Sequence, residues 1–140
     1  MNEQELKDKI MKILESNQVG TLASVKNNRP HSRFMTFFNE GTTFYTPTSR
    51  ETHKAEEIDA NPYVHILIGY GGEGFGDAYL EVEGKAVIKE DQELKEKLWN
   101  EYMENWFEGP SDPEYIVLEI EPEQIRLMNA KEKSPQTLKL

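Results

Sequence analysis

The chain has 140 residues, with 16 basic and 26 acidic side chains, a net charge of −10 and no cysteine. This length predicts one domain with its own core, and the absence of cysteine excludes disulfides, thiol nucleophiles and Cys-ligated metal sites. The acidic balance argues against a nucleic-acid partner, and no apolar stretch suits a signal peptide or a membrane span, so we expect a cytoplasmic protein without a membrane partner.

The first half of the chain predicts a helix, three strands and a second, short helix. Apolar residues at helical spacing end near Asn17, and a tight turn at residues 27–28 separates the first two strands. The predicted strands cover residues 18–25, 30–38 and 42–46. A loop over residues 47–51 then leads to Thr52, which has the chemistry of a helix N-cap, and the helix ends before Pro62.

The second half predicts further strands and a longer helix. The strands cover residues 63–68, 78–88, 115–120 and 125–128. Asp91 can cap a helix between them, with four apolar residues on one face. These residues are Leu94, Leu98, Tyr102 and Trp106. The residues from Ala130 onward are mostly polar, so we expect the domain to cover 1–129 and a mobile C-terminal tail to cover 130–140.

This order of elements predicts a mainly β, α+β fold. Strands joined by hairpins, with few helices between them, favour an antiparallel sheet over parallel βαβ units. About six strands in one small domain usually close into a barrel, because closure removes their free edges. The N-terminal helix, the short helix after the third strand and the longer helix before the last strands complete the predicted fold.

One segment carries positive charge in an otherwise acidic chain. Residues 26–54 contain five basic and two acidic side chains, whereas the remaining residues contain 11 basic and 24 acidic ones. Such a concentration of positive charge favours the binding of an anion. Chance clustering on a solvated face is the alternative interpretation.

The residues of this segment have the chemistry of a phosphate site. Arg33 lies in the middle of a predicted strand, where a fixed guanidinium could form two hydrogen bonds with phosphate oxygens. Hydroxyl groups and a helix N-terminus follow in the chain, at Thr48, Ser49, Thr52, His53 and Lys54. The free N–H groups and the positive dipole end of that helix would assist Lys54. The alternative is an ordinary N-cap beside a surface lysine, with Arg33 paired to a glutamate.

The other motifs in the sequence do not predict a functional site. The loop 69–74 matches GxGxxG in letters, but a strand pattern rather than a helix follows it, so we interpret it as a flexible connection and not as a dinucleotide site. Alternating glutamates on the strands are typical of a solvent face, and the histidines lack metal-ligand spacing. We therefore predict no catalytic side chain and no metal site.

Three motifs in the right order resemble those of the pyridoxamine 5′-phosphate oxidase-like flavoproteins, in particular the general stress protein 26 branch. They are HSRFMT at 31–36, TSRETHKA at 48–55 and WFEGPSDP at 106–113. The resemblance covers the chain from the first helix to about Met128. It implies an antiparallel split β-barrel that binds FMN at the interface of a homodimer.

The resemblance also implies roles for individual residues. Arg33 and Lys54 would hold the FMN phosphate, and Trp106 would reach the cofactor from the other subunit or pack in the core. The residues expected at the cofactor are Arg33, Phe34, Met35, Thr36, Thr48, Ser49, Thr52, His53, Lys54 and Trp106. Relatives tend to have proline at the position of Phe34, which is one departure from the family pattern.

A second departure concerns the expected reaction. Residues 131–140 contain no arginine, whereas the true pyridoxamine phosphate oxidases end in an arginine-rich signature. We therefore expect an FMN-dependent oxidoreductase that uses a small-molecule electron donor or acceptor, and not an enzyme of vitamin B6 oxidation. A non-catalytic flavin-binding or carrier protein of the stress response is the alternative, and haem or a deazaflavin could replace FMN in the same fold.

Overall fold

The computed structural model describes residues 1–130 and 135–140, with only the backbone of His53 and Lys54. The helices are α1 (Glu3–Ser16), α2 (His53–Ala60) and α3 (Gln92–Leu98), followed by a 3-10 helix at Glu101–Asn105. The strands are β1 (Val19–Lys26), β2 (Arg29–Thr36), β3 (Phe38–Glu40), β4 (Thr43–Ser49), β5 (Tyr63–Ile68), β6 (Tyr79–Lys89), β7 (Tyr115–Met128) and β8 (Gln136–Lys139). Among the described helices, none is both long and apolar enough to cross a membrane.

All of these strands belong to one antiparallel sheet. Their order is β2-β1-β5-β6-β7-β4-β3, and β8 pairs with β7 outside this path. The sheet curls into a half-barrel around an apolar core. Fully buried side chains include Leu22, Phe44, Ile66, Leu80, Leu118 and Ile125. Each contributes about 1.5–3 kcal/mol by leaving water, so the predicted antiparallel, mainly β fold has a substantial core.

Helix α1 forms where the apolar spacing predicts it. The side chain of Asn2 accepts a hydrogen bond from the Glu5 N–H, which caps the first turn. One face is then buried at Leu6, Ile10 and Leu14. The helix ends as predicted, at its C-cap Asn17.

The β1–β2 hairpin determines which way the predicted site residues face. Asn27 and Asn28 both have positive φ, 52° and 61°, a conformation that asparagine tolerates in tight hairpin turns. The resulting register places Arg33 opposite Leu22, which is fully buried. Because side chains alternate along a strand, Arg33 faces inward and Phe34, which is 78% exposed, faces outward.

The structure divides the helix that the sequence predicts before the last strands. Helix α3 ends at Leu98, and the side chain of Asn100 caps a separate 3-10 helix by accepting from the Tyr102 N–H. The new start changes the helical phase, so Tyr102 and Trp106 leave the predicted apolar face and are 80% and 73% exposed. The prediction that all four residues lie on one apolar face of a single helix is therefore wrong.

Several strand boundaries also differ from the prediction. Residues 47–49, predicted as loop, continue β4 because they pair with β7. The two predicted strands at 115–120 and 125–128 are one strand, β7.

The predicted C-terminal tail contains strand β8, in which Leu138 pairs with Ile125 and is 3% exposed. A short strand with one apolar residue gives little sequence signal, and pairing with β7 supplies the order. Residues 131–134 of the predicted tail lie outside the described residues.

Candidate cofactor site

An ion pair joins the edge strand β2 to helix α2. A terminal nitrogen of Arg33 lies 3.2 Å from Oε2 of Glu57, and the arginine side chain is 31% exposed. Glu57 belongs to the second turn of α2 and is 2% exposed. The sequence predicts that Arg33 and the start of α2 lie close together, and this ion pair joins Arg33 to that helix. The ion pair also agrees with the alternative interpretation from the sequence, in which Arg33 pairs with a glutamate.

The same carboxylate oxygen has a second partner on β1. The buried hydroxyl of Ser24 donates a hydrogen bond to Oε2 of Glu57. Burial alone would raise the pKa of Glu57, but the Ser24 hydroxyl and the Arg33 guanidinium together lower this pKa below its ordinary value. An ionised carboxylate is thus held between β1, β2 and α2.

Sequence reasoning missed Glu57 and Ser24, and a sequence signal was present for Ser24. Ser24 is two residues beyond Leu22 on β1, so strand alternation turns both inward. On α2, Glu57 is buried together with Ala55 and Ile58. A buried acidic residue needs a partner, and the Arg33 guanidinium on β2 supplies it.

The hydroxyl groups predicted for the site meet at the corner between β4 and α2. The Thr48 and Thr52 hydroxyl oxygens are 3.5 Å apart, and the Thr52 hydroxyl donates to the Ser49 carbonyl over 2.9 Å. Thr52 is the N-cap residue by position, as predicted, but its side chain accepts no capping hydrogen bond from the helix. Its hydroxyl therefore does not cover the first N–H groups of α2.

The predicted roles of His53 and Lys54 rest on side chains outside those described. Their backbone forms the first turn of α2, where the sequence predicts it. The helix spans eight residues, and its positive dipole end is at this turn. The segment with concentrated positive charge therefore ends at a helix N-terminus next to the Thr48–Thr52 corner.

The strand residues predicted for the cofactor divide between two faces of β2. Met35 faces inward with Arg33 and packs against the core. Phe34 and Thr36 are exposed, and the Thr36 carbonyl accepts a hydrogen bond from the Thr46 hydroxyl over 2.8 Å. The structure therefore brings Arg33 together with α2 but directs Phe34 to a different surface.

That outward surface contains a cavity of about 980 Å³ near the end of the sheet. None of its lining residues is charged, although 30% of the chain is. Aromatic and aliphatic side chains dominate the lining: Val19, Phe34, Leu67, Tyr70, Phe75 and Tyr79. Arg33 and the corner of β4 with α2 do not line this cavity, so the phosphate-type chemistry and the apolar space occupy separate surfaces of one chain.

The glycine-rich loop at the rim of this cavity, predicted as a flexible connection, forms several hydrogen bonds with side chains. The Asp77 carboxylate accepts hydrogen bonds from the Gly71 and Glu73 N–H groups, both over 2.9 Å. The Asn129 amide donates to the Gly74 and Asp77 carbonyls. These bonds fix the backbone that presents Phe75, whose side chain is fully exposed.

A second buried cluster anchors the segment after Trp106. Burial raises the pKa of Tyr115 to about 12, and its hydroxyl donates to the Lys95 carbonyl. The buried Lys95 ammonium donates to the Asp112 carbonyl over 3.1 Å. The Glu108 and Glu114 N–H groups donate to the Asp112 carboxylate and lower its pKa.

Trp106 itself is exposed, so packing in the core, one of its two predicted roles, is excluded.

Comparisons with known proteins identify relatives of this chain. A family model described as pyridoxamine 5′-phosphate oxidase matches residues 6–129. General stress protein 26 of Bacillus subtilis (strain 168) is 59% identical over 140 residues, which is 100% of both chains. The crystal structure of General Stress Protein 26 from Bacillus anthracis str. Sterne superposes with a TM-score of 0.87 at 39% identity, covering 97% of this chain and 99% of that one.

A more distant structure has the same fold. It is a pyridoxamine 5′-phosphate oxidase-related, FMN binding protein from Nostoc punctiforme PCC 73102, with a TM-score of 0.74. At 18% identity, with 98% of this chain and 91% of that chain covered, the likeness extends to the fold alone. The predicted split β-barrel is confirmed by these structures.

Proposed function

Because the chain belongs to the pyridoxamine 5′-phosphate oxidase family, we propose that it binds FMN and acts as an FMN-dependent oxidoreductase. The single observation that carries the proposal is Arg33, which is joined to α2 through Glu57 and is still one-third exposed. Arg33 and the first turn of α2 would hold the FMN phosphate. The hydroxyls of Thr48 and Thr52 would complete the site.

The donors present suit a phosphate dianion. A guanidinium has five N–H donors, and its described contact with Glu57 uses one terminal nitrogen, so donors are left for phosphate oxygens. A helix N-terminus favours an anion as well. Glu57 opposes an anion, but its carboxylate is buried and its charge is balanced by the guanidinium that it contacts.

The cofactor would supply hydride or electron transfer, and the chain would supply binding and the electrostatic environment. Because the cofactor would carry out the reaction, the chain needs no general acid, base or nucleophile of its own, and the sequence predicts none. A small-molecule electron donor or acceptor is the expected partner. Because residues 131–140 contain no arginine, we do not extend the proposal to vitamin B6 oxidation.

The proposal includes a homodimer with the flavin between subunits. Large apolar side chains are exposed on the outward face and beyond the 3-10 helix, including Phe34, Phe75 and Trp106. Exposed aromatic residues of this kind are typical of surfaces that another chain covers. A partner subunit would cover them and bring its Trp106 to the cofactor.

The alternative cofactors make different demands on the chain. A deazaflavin cofactor would use the same phosphate site, whereas haem would need an axial ligand such as histidine. His31 is exposed on the edge strand, and His65 pairs with Ala23 and Glu83 in the sheet. We favour the flavin because Arg33 and the first turn of α2 offer donors to a phosphate group.

Flavin uptake tests the proposal directly. Protein purified from cells, or incubated with FMN and desalted, should be yellow and contain one flavin per chain. Colourless protein that fails to take up added FMN in calorimetry would contradict the proposal. Anaerobic titration with NADH, NADPH and other reductants then separates an oxidoreductase, whose flavin is bleached by one of them, from a flavin carrier, whose flavin is not.

A further inference from the structure

We propose that Glu57 is a positioning residue that, with Ser24, holds the Arg33 guanidinium ready for a phosphate group. The inference rests on the proposed function, because it assigns Arg33 to the FMN phosphate. It also extends that function. If Glu57 acts only through Arg33, it controls how well the site distinguishes a phosphorylated flavin from one without phosphate.

The burial of Glu57 is the first step of the argument. A carboxylate that is 2% exposed loses nearly all of its hydration, which costs several kcal/mol unless partners replace the water. Ser24 and Arg33 both bind the same oxygen, Oε2, and so replace part of that hydration. An apolar residue would fill this position without such a cost, so a role beyond packing explains the carboxylate best.

The location of Arg33 is the second step. Strand β2 is at the edge of the sheet, and most of its residues are exposed. A long arginine side chain at an exposed edge populates many rotamers, and fixing it on ligand binding loses rotamer entropy. An ion pair to a carboxylate that is itself fixed removes much of this loss before the ligand arrives.

The rigidity of Glu57 is the third step. Its neighbours Ala55 and Ile58 on α2 are buried, and Ile58 belongs to the main core cluster. Ser24 lies on β1, whose pairing with β2 and β5 places it inside the sheet. The carboxylate is therefore held by the core, and Arg33 is held by the carboxylate.

The chain offers a matched control on the same helix. Glu56 is the preceding residue, and its side chain is 74% exposed and lies 3.8 Å from Lys26. Like Glu57, it is a glutamate of α2, one residue earlier in the chain. A substitution of Glu56 therefore reports the general electrostatic effect of losing one carboxylate from α2.

The test compares FMN with riboflavin, which lacks the phosphate. Dissociation constants for both would be measured by fluorescence titration in the wild type, Glu57→Ala, Glu57→Gln, Ser24→Ala and Glu56→Ala. We expect Glu57→Ala to weaken FMN binding about tenfold, because Arg33 would then become ordered only when the phosphate binds, and to change riboflavin binding little. Glu57→Gln and Ser24→Ala should have intermediate effects, and Glu56→Ala should resemble the wild type.

A second measurement needs no flavin. The Arg33 side-chain Nε–H resonance would be followed by ¹⁵N relaxation in the ligand-free protein. We expect an ordered side chain in the wild type and Glu56→Ala, and a mobile one in Glu57→Ala. Glu57→Gln preserves the side-chain shape and serves if the alanine variant does not fold.

The outcomes separate the two proposals. An Arg33 side chain that is equally ordered in the wild type and the Glu57 variants would overturn the positioning role, whether or not FMN binds. Equal losses of FMN and riboflavin affinity would overturn it as well, because they would indicate a purely structural effect. Failure of the wild type to bind FMN, with Arg33 ordered by Glu57, would instead overturn the proposed cofactor and keep the positioning role.

Discussion

The two side chains of the Arg33–Glu57 ion pair differ in how much of their surface is open to solvent. Glu57 must be paired because it is buried, whereas Arg33 must keep part of its surface open if it is to bind a ligand. The side chains are 2% and 31% exposed, so the pair lies at the boundary between core and solvent. Arginine suits this position better than lysine, because its planar group can contact a carboxylate and a phosphate at once.

The first prediction concerns that geometry. Arg33→Lys keeps the positive charge and a partner for Glu57 but removes the fork of donors. We expect FMN affinity to fall about tenfold while riboflavin affinity stays close to the wild-type value. Arg29→Lys, at an exposed position on the same strand, is the control and should bind both flavins normally. Unchanged FMN affinity in Arg33→Lys would show that the phosphate lies elsewhere.

A second prediction at this scale concerns pH. The folded protein holds the pKa of Glu57 below its ordinary value of 4.5, so the unfolded chain binds more protons as the pH falls below this value. The contribution of Glu57 to stability is therefore present above pH 4.5 and is lost during acidification. We expect the free energy of unfolding, measured in urea between neutral pH and pH 3.5, to fall less steeply for Glu57→Gln. Parallel curves for the two proteins would contradict this assignment.

At the scale of elements, short segments gain their order from what they pair with. Strand β8 is four residues long and pairs with β7, and its residue Leu138 belongs to the same core cluster as Leu6 of α1. The C-terminal segment thus closes the core next to the first helix. Helix α3 shows the converse. Its apolar pattern continues in the sequence, but α3 ends at Leu98 and Asn100 caps a new 3-10 helix with a different phase.

Removal of Leu138 tests whether β8 is part of the folded domain. Leu138→Ala should lower the free energy of unfolding by about 2–5 kcal/mol, as expected for a large buried side chain. Leu140→Ala is a matched control, because Leu140 is 54% exposed and should contribute little. Thermal and urea unfolding give the two values. Similar stabilities of both variants would show that β8 is not packed in solution as described.

For the whole molecule, charge and apolar surface are segregated. The acidic side chains are spread over most of the chain, the positive segment ends at α2, and the cavity on the outward face has no charged lining residue. An apolar surface without charged residues, on a protein with a net charge of −10, is typical of a surface that another molecule covers. In the proposed dimer that molecule is a second copy of the chain.

The dimer prediction is tested by sedimentation. The wild type should sediment as a dimer at micromolar concentration, and Phe75→Ser should shift it toward the monomer, since Phe75 is a fully exposed aromatic residue at the cavity. Val87→Ser is the control, because Val87 is 51% exposed on β6 and does not line the cavity. A dimer that is indifferent to Phe75→Ser, or a monomeric wild type, would contradict the proposed interface.

The sequence alone determined the features that depend on local chemistry. The apolar spacing of α1, the Asn27–Asn28 turn and the strand patterns of β5 and β6 predict these elements closely, because each follows from the backbone and side-chain preferences of a few neighbouring residues. The family followed from three motifs, which are also local.

Only the tertiary structure decided the features that depend on distant partners. The pairing of β4 with β7 and the contacts of Ser24 and Arg33 with Glu57 join residues far apart in the chain, and β8 gains its order from β7. Local preference is silent on such contacts, because the free energy that selects them comes from burial and pairing in the assembled sheet. The sequence predicts that Arg33 holds an anion, but only the fold shows which carboxylate holds Arg33.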